Sequence, residues 1–250
     1  MRAGSGGDRR AELAAALAQV RERIGAAANS ADRDPARVRL VAVTKTFPAR
    51  DAALLAELGI GDLGENRDQE AAAKTAEVAR LRPDAALRWH MVGRLQRNKA
   101  RSVAGWADVV QSVDSGRLVE ALDRATLAAL HDGRRRRPLD VLVQVSLDTD
   151  EAAQHRGGCP PAGVAALAEH VASAQGLVLR GVMAVAPLGA DPEAAFERLA
   201  AVAAKLRESY PEAVEVSAGM TGDLEAAIRH GSTCVRVGTA LLGHRPLASP

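Results

Sequence analysis

Hydrophobic and polar residues alternate along this chain in two patterns. Near the start, apolar residues recur at intervals of three and four, which predicts an amphipathic helix over 11–28. The residues that define its apolar face are Leu13, Leu17, Val20 and Ile24. A short run rich in β-branched residues follows at 38–44 and predicts a buried strand. Beyond it, strand-like and helix-like stretches alternate through the rest of the chain.

The alternation comprises eight predicted strands, and a helical pattern follows each of the first seven. The strands are expected at 38–44, 60–63, 88–92, 107–113, 139–147, 178–185, 213–216 and 233–237. The helices are expected at 49–58, 65–80, 95–103, 116–131, 161–175, 192–208 and 222–230. Such alternation predicts right-handed βαβ units and a parallel sheet covered by helices.

Eight units favour a closed (β/α)8 TIM barrel over an open, doubly wound sheet. No Gly-x-Gly-x-x-Gly motif follows the first strand, so a dinucleotide site is not expected. The prediction is therefore an α/β protein with a single barrel domain over 1–250. It includes an additional N-terminal helix and disorder in 1–10.

Composition narrows the class of protein. Apolar residues make up 47% of the chain but aromatic residues only 2%, so the core is expected to consist of Ala, Val and Leu. A net charge of +2 does not indicate a nucleic-acid or membrane partner, and the polar N-terminus does not resemble a secretory signal. Cys159 and Cys234 suggest neither a disulfide framework nor a metal site. We therefore expect a cytoplasmic protein that holds no metal.

Lysine is rare in this chain, and one lysine at the end of the first predicted strand suggests a reactive amine. Only four of the 33 basic residues are lysines: Lys45, Lys74, Lys99 and Lys205. Lys45 ends the first predicted strand, where an amine between apolar walls can attack an aldehyde, as an arginine cannot. One interpretation is a Schiff-base lysine. The other is a strand-end lysine that merely reaches solvent.

Small residues and hydrogen-bond donors gather after the last two predicted strands. Ser217 and Gly219 follow the seventh strand, and Gly238 and Thr239 follow the eighth. Barrels often bind phosphate at these two strand ends, so the four residues predict a phosphate cradle. Each pair taken alone is also compatible with an ordinary turn. Thr221 is expected to cap the helix that follows the seventh strand.

Arg236 lies within the apolar eighth strand, so its guanidinium needs a partner. It either pairs with an interior carboxylate or donates to a ligand nitrogen. In a closed barrel the eighth strand lies beside the first, which places Arg236 and Lys45 at one pocket. Asn66 and His90 follow or end the second and third strands, although a lone histidine there can equally be a hydrogen-bonded packing residue.

Two further stretches carry charge. His155 and Arg156 lie in the loop at 148–158, where they either reach an anionic ligand or face solvent. The arginine-rich run at 133–137 is interpreted as a solvated loop without a function of its own.

Several motifs together carry a family resemblance over nearly the whole length. They are VAVTK at 41–45, GEN at 64–66 with QE at 69–70, WHMVGRLQRNK at 89–99, RGVM at 180–183, SAGMTGD at 217–223 and GSTCVRVGT at 231–239. The chain resembles the YggS/PROSC family of pyridoxal phosphate homeostasis proteins. It departs from the family pattern at Ala218, usually methionine, and at Thr221, usually serine. It also has Arg156 where the family often has a lysine, and an arginine cannot form a Schiff base.

The resemblance implies a barrel like the N-terminal domain of alanine racemase, with pyridoxal 5′-phosphate (PLP) held as a Schiff base on Lys45. Arg236 would face the pyridine nitrogen, and Asn66 and His90 would lie near the ring. The phosphate would contact the predicted cradle, namely Ser217, Gly219, Gly238 and Thr239. The implied role is intracellular PLP homeostasis by a monomer, with apo PLP-enzymes as recipients and without catalytic turnover.

Two other function classes stay open. A racemase needs a second base opposite Lys45, but the only tyrosine, Tyr210, is predicted on an outer helix. The second domain that supplies this base in alanine racemase is not expected here. A Schiff-base aldolase would use the same lysine but would leave Arg236 unexplained. The preferred hypothesis is a non-catalytic PLP-binding protein.

Overall fold

The structure, a computed structural model, describes residues 5–148 and 157–243. Its strands are β1 (Arg39–Val43), β2 (Asp62–Glu65), β3 (Arg88–Met91), β4 (Val109–Val113), β5 (Leu139–Gln144), β6 (Leu177–Met183), β7 (Glu215–Ser217) and β8 (Cys234–Val237). Its α-helices are α1 (Ser5–Ser30), α2 (Ala49–Glu57), α3 (Asp68–Leu81), α4 (Ala100–Trp106), α5 (Gly116–His131), α6 (Val164–Ala172), α7 (Pro192–Ser209), α8 (Leu224–Arg229) and α9 (Thr239–Leu242).

The eight strands form a closed parallel barrel in chain order, so the predicted (β/α)8 TIM barrel is confirmed. Closure pairs β8 with β1, and Arg236 lies in register with Val41. Because all strands are parallel, their carboxyl ends meet at one mouth of the barrel. The turn that contains Lys45 and the turns after β7 and β8 therefore share this mouth.

Two apolar clusters built mainly from Ala, Val and Leu lie between the barrel and its helices, as the composition predicts. The end of the barrel opposite the Lys45 turn is polar inside. Arg39 donates to Glu215 at 3.1 Å, and Asp140 accepts from Arg88 at 2.6 Å and from Arg180 at 2.8 Å. Ion pairs thus close this end, and the other end is left for a ligand.

Helix α1 begins at Ser5, so 5–10 are helical although the sequence predicts disorder there. The physical reason is an anchor: Arg9 donates to Asp51 at 2.8 Å and to the carbonyl of Leu242 at 3.0 Å. Residues 1–4 lie outside the described range. The predicted apolar face of the helix is confirmed, since all four of its defining residues are buried.

Several predicted boundaries are wrong in ways that affect the mouth of the barrel. Strand β1 ends at Val43, so Lys45 lies in a turn rather than at the end of the strand. Strand β7 extends to Ser217. Thr221 does not cap α8, whose N-cap is Asp223; instead the Thr221 hydroxyl accepts from the Ala240 N–H at 3.4 Å.

The arginine run at 133–137 is more than a solvated loop. Arg135 donates to the carbonyls of Ala104 and Ala107 at 3.0 and 2.6 Å, and so it ties the run to the end of α4. His155 and Arg156 lie outside the described residues. Among the helices of the described ranges, none has the length and apolar character needed to cross a membrane.

Candidate functional site

Lys45 projects from a tight turn at the mouth of the barrel. The turn is closed by the Phe47 N–H, which donates to the carbonyl of Thr44 at 3.1 Å. Thr46 has a φ of +66°, a conformation that is unfavourable for a β-branched residue. The side chain of Lys45 is exposed and forms no hydrogen bond or ion pair with any residue that the structure describes. The amine is thus exposed to solvent rather than buried between apolar walls as expected, and it is available to react.

Arg236 lies inside the barrel, where it is 5% exposed. Its guanidinium donates to the Ser217 hydroxyl at 2.7 Å and to the carbonyl of Ala184 at 2.8 Å. Within the described part of the chain it forms no ion pair, so the expected alternative of an interior carboxylate partner is not observed. Burial lowers the pKa of Arg236. The barrel thus holds a buried cation whose charge is not neutralised by a carboxylate, which favours an electron-rich ligand nearby.

Ser217 and His90 belong to a chain of hydrogen bonds that crosses the barrel interior. The Ser217 hydroxyl donates to Gln111 Oε1 at 2.7 Å, and Gln111 Nε2 lies 2.9 Å from His90 Nδ1. The other ring nitrogen of His90 lies 2.7 Å from Asp62 Oδ1. Burial lowers the pKa of His90 against the opposing effect of Asp62, which favours a neutral ring that donates to Asp62 and accepts from Gln111. The chain of bonds fixes the orientation of Arg236.

This network changes the roles expected for two residues. The Ser217 hydroxyl is fully buried and has partners on both sides, so any contact with phosphate would come from the backbone of its turn. Both ring nitrogens of His90 are occupied, so its influence on a ligand would pass through Gln111, Ser217 and Arg236.

The turns after β7 and β8 are built on glycines that pack closely. Gly219 has a φ of +94°, and a Cβ there would lie 2.7 Å from the Ala227 Cβ. The Gly219 carbonyl accepts from the Arg236 N–H at 2.9 Å, which joins the two strand ends. A Cβ on Gly238 would lie 3.2 Å from the carbonyl of Val43, so this turn packs against the end of β1. Thr239 is exposed at the start of α9.

Asn66 follows β2 and packs against Gly93, where a Cβ would lie only 2.4 Å from the Asn66 carbonyl. The Asn66 Oδ1 atom is buried and has no hydrogen-bond partner in the described structure. Asn66 also borders a cleft of about 1420 Å³ that is lined by arginines such as Arg94 and Arg117. This cleft covers the ends of β2 to β4 rather than the glycine turns.

The predicted site residues therefore occupy two kinds of position. Lys45, Asn66, Gly219, Gly238 and Thr239 lie in the turns of the mouth. His90, Ser217 and Arg236 lie on the strands, inside the barrel.

Sequence reasoning missed three residues that support this arrangement: Gln111, Glu65 and Lys74. Gln111 could have been found by the signal that identified Arg236, a polar residue within an apolar strand. The Glu65 carboxylate and the Lys74 amine form a buried ion pair at 2.7 Å, which sequence spacing does not reveal.

The remaining candidates for chemistry are the Cys234 thiol, at the start of β8, and side chains that can ligate a metal. Burial raises the pKa of the Cys234 thiol to about 11, which opposes formation of a reactive thiolate. The described residues contain no group of three or more His, Cys, Asp or Glu side chains arranged to hold a metal ion.

Comparison with known proteins gives consistent results. The family model for the alanine racemase N-terminal domain matches residues 15–246. A pyridoxal phosphate homeostasis protein of Mycobacterium tuberculosis is 50% identical over 249 residues, which cover 97% of this chain and 96% of that protein. One of Escherichia coli is 37% identical over 237 residues, with coverage of 94% and 97%. PipY of Synechococcus elongatus, solved with PLP bound, has a TM-score of 0.76 and 36% identity and covers 92% of this chain and 100% of its own.

The barrel and its match therefore define a protein of the alanine racemase N-terminal domain class. Within that class, the chain belongs to the family of pyridoxal phosphate homeostasis proteins, as its sequence motifs indicated.

Proposed function

We propose that this chain binds PLP at the barrel mouth, holds it as a Schiff base on Lys45, and releases it to other proteins without catalysing turnover. The observation that supports this most directly is that the unpartnered Lys45 amine, in the turn after β1, and the buried Arg236 guanidinium belong to neighbouring strands of the closed barrel. PLP carries an aldehyde, a pyridine nitrogen and a phosphate, and the mouth offers one group suited to each.

The residues present fit this cofactor. The Lys45 amine would attack the aldehyde carbon, and loss of one water would leave a C=N bond. The two glycine turns are joined by the Arg236 N–H bond to the Gly219 carbonyl, and backbone N–H groups of such turns can bind a phosphate. Arg236 offers a donor that keeps its proton, and Asn66 offers an oxygen that still lacks a donor.

The presence of Arg236 also supports the proposed lack of catalytic turnover. PLP supplies an electron sink for amino-acid chemistry, and that sink is strongest when the ring nitrogen is protonated. An arginine does not give up its proton, so beside the pyridine nitrogen it would leave that nitrogen unprotonated. Binding is thereby favoured over racemisation, transamination or decarboxylation.

The position of Tyr210 weakens the racemase alternative. Tyr210 directly follows α7, and a helix of this barrel runs back to the end at which the next strand begins. Tyr210 thus lies toward the end of the barrel opposite Lys45 and cannot serve as the second base within this chain.

The test compares turnover with transfer in one preparation. PLP-loaded protein is incubated with free amino acids for chiral analysis, and separately with an apo-transaminase whose recovered activity is measured. We expect reactivation of the transaminase and no steady change in the amino acids. Lys45→Ala should hold less PLP, whereas Lys205→Ala, which alters an exposed lysine on α7, should behave as the wild type. Sustained racemisation or deamination that disappears in Lys45→Ala would overturn the proposal.

A further inference from the structure

A buried ion pair lies directly behind the turn that carries Lys45. Lys74 on α3 is 8% exposed and Glu65 on β2 is fully buried, and the amine donates to Glu65 Oε1 at 2.7 Å. The Thr44 hydroxyl donates to the same carboxylate oxygen at 2.6 Å. Lys74 also contacts the Thr44 backbone, so the three residues form a closed triangle between the barrel and α3.

The triangle acts on one particular backbone carbonyl. The Lys74 amine also donates to the carbonyl of Thr44 at 2.8 Å, and that same carbonyl accepts from the Phe47 N–H. Lys74 therefore holds the carbonyl of Thr44, the first residue of the turn. Lys45 is the second residue of the same turn. The strained φ of Thr46 shows that the turn is held in its shape by surrounding contacts.

Stability does not account for this ion pair. A buried pair loses hydration that its mutual attraction often fails to recover, and apolar residues of similar volume commonly do as well. The second oxygen of Glu65 is buried and has no partner among the described residues. The chain also uses arginine for most of its cations, yet it has a lysine here. The Lys74 amine is costly to bury, and it donates to one backbone carbonyl of the turn. Positioning of that turn explains the burial of Lys74 better than stability does.

We propose that Lys74, supported by Glu65, is a positioning residue that holds the Thr44–Phe47 turn so that the Lys45 amine faces the aldehyde of PLP. This inference rests on the proposed function and adds residues to it. Lys74 itself does not react: its amine is buried and is bonded to Glu65 and Thr44.

The experiment follows the visible absorption that appears when PLP is added to the cofactor-free full-length protein. Lys74→Met should slow Schiff-base formation about tenfold, since loss of orientation by about 1 Å can cost up to about a hundredfold in rate. Lys205→Met is the matched control, because it removes an exposed lysine far from the turn, and it should react at the wild-type rate.

A double variant separates positioning from stability. Lys74→Met alone leaves the buried Glu65 charge with the Thr44 hydroxyl but without a cation, so this variant should unfold at a lower temperature. Glu65→Gln combined with Lys74→Met removes both charges and should recover most of that loss, while the Thr44 carbonyl still lacks its Lys74 donor. A rate that stays about tenfold slow in the folded double variant supports positioning. A rate that recovers together with the unfolding temperature overturns it.

Borohydride labelling of the wild type separates a failure of this inference from a failure of the proposed function. If borohydride reduction fails to attach PLP to Lys45 in the wild type, the proposed function fails, and positioning fails with it. If the wild type is labelled there and the double variant reacts equally fast, only the role of Lys74 fails.

Discussion

Arg236 combines two properties that usually exclude each other: it is buried, and its described partners are a hydroxyl and a carbonyl rather than a carboxylate. A charge in that environment costs folding free energy unless a ligand complements it. At the residue scale, this predicts that the Arg236 side chain contributes more to the affinity for the cofactor than to the stability of the cofactor-free protein.

Arg236→Met tests this with a side chain of similar length and no charge. The affinity for PLP should fall at least about tenfold, because a hydrogen bond from a charged donor contributes about 1.5–3 kcal/mol. The unfolding free energy of the cofactor-free protein should change by less than about 2 kcal/mol, since the lost hydrogen bonds and the lost burial of charge oppose each other. Titration with PLP and thermal unfolding give the two values. A large loss of stability with unchanged affinity would contradict this role.

His90 should make stability depend on pH. Burial lowers the pKa of His90 in the folded chain, whereas an unfolded histidine titrates near about 6.5. Below that pH the unfolded chain binds a proton that the folded chain does not, so the unfolding free energy falls as the pH falls. The fall contributed by His90 should approach about 1.4 kcal/mol per pH unit.

The measurement is chemical denaturation at several values between about pH 7.5 and pH 5.5, on the wild type and on His90→Gln. The variant should show a shallower dependence, because glutamine does not titrate. Equal slopes in the two proteins would exclude His90 as the source.

At the scale of elements, the turn after β7 depends on the backbone of one glycine. Gly219→Ala should weaken PLP binding at least about tenfold and lower stability by about 1–3 kcal/mol, because its φ is +94° and its Cβ would meet Ala227 and Leu224. Gly222 lies in the same loop, and a Cβ there would meet nothing within 4 Å, so Gly222→Ala is the matched control. Competition between PLP and inorganic phosphate measures the effect on binding, and thermal unfolding measures the effect on stability. Similar losses in both variants would show that the turn has no specific requirement at Gly219.

The order of the elements could be predicted from the sequence because each strand and helix shows its own apolar period. The start of α1 could not, since it depends on Arg9 contacting Asp51 and Leu242 from distant parts of the chain. The end of β1 was predicted one residue too late, at 44 rather than at Val43, because the triangle behind the turn joins residues from three elements.

The same reason limited the prediction of the site. Glycines and donors at strand ends could be located, but the partners of Ser217 depend on which side chains meet inside the closed barrel. The hydroxyl of Ser217 lies between Gln111 and Arg236, so the phosphate contact predicted for this residue would come from its backbone.

At the scale of the whole molecule, barrel closure makes one site from distant parts of the chain. Strands β1 and β8 are separated by about three quarters of the sequence, and their pairing sets Arg236 beside the strand that leads to Lys45. Ion pairs close the far end, so a ligand enters from the mouth. Under the proposed function, a cofactor held by one lysine and by exposed turns would be able to enter and leave through this mouth.

The most direct measurement is reduction of the PLP-loaded wild type with borohydride, followed by peptide mapping. Reduction converts the C=N bond to a stable C–N bond, so the labelled residue is the one that held the aldehyde. The label is predicted on Lys45, the lysine in the Thr44–Phe47 turn. A label on Lys74, Lys99 or Lys205, or none on any lysine, would contradict the central claim.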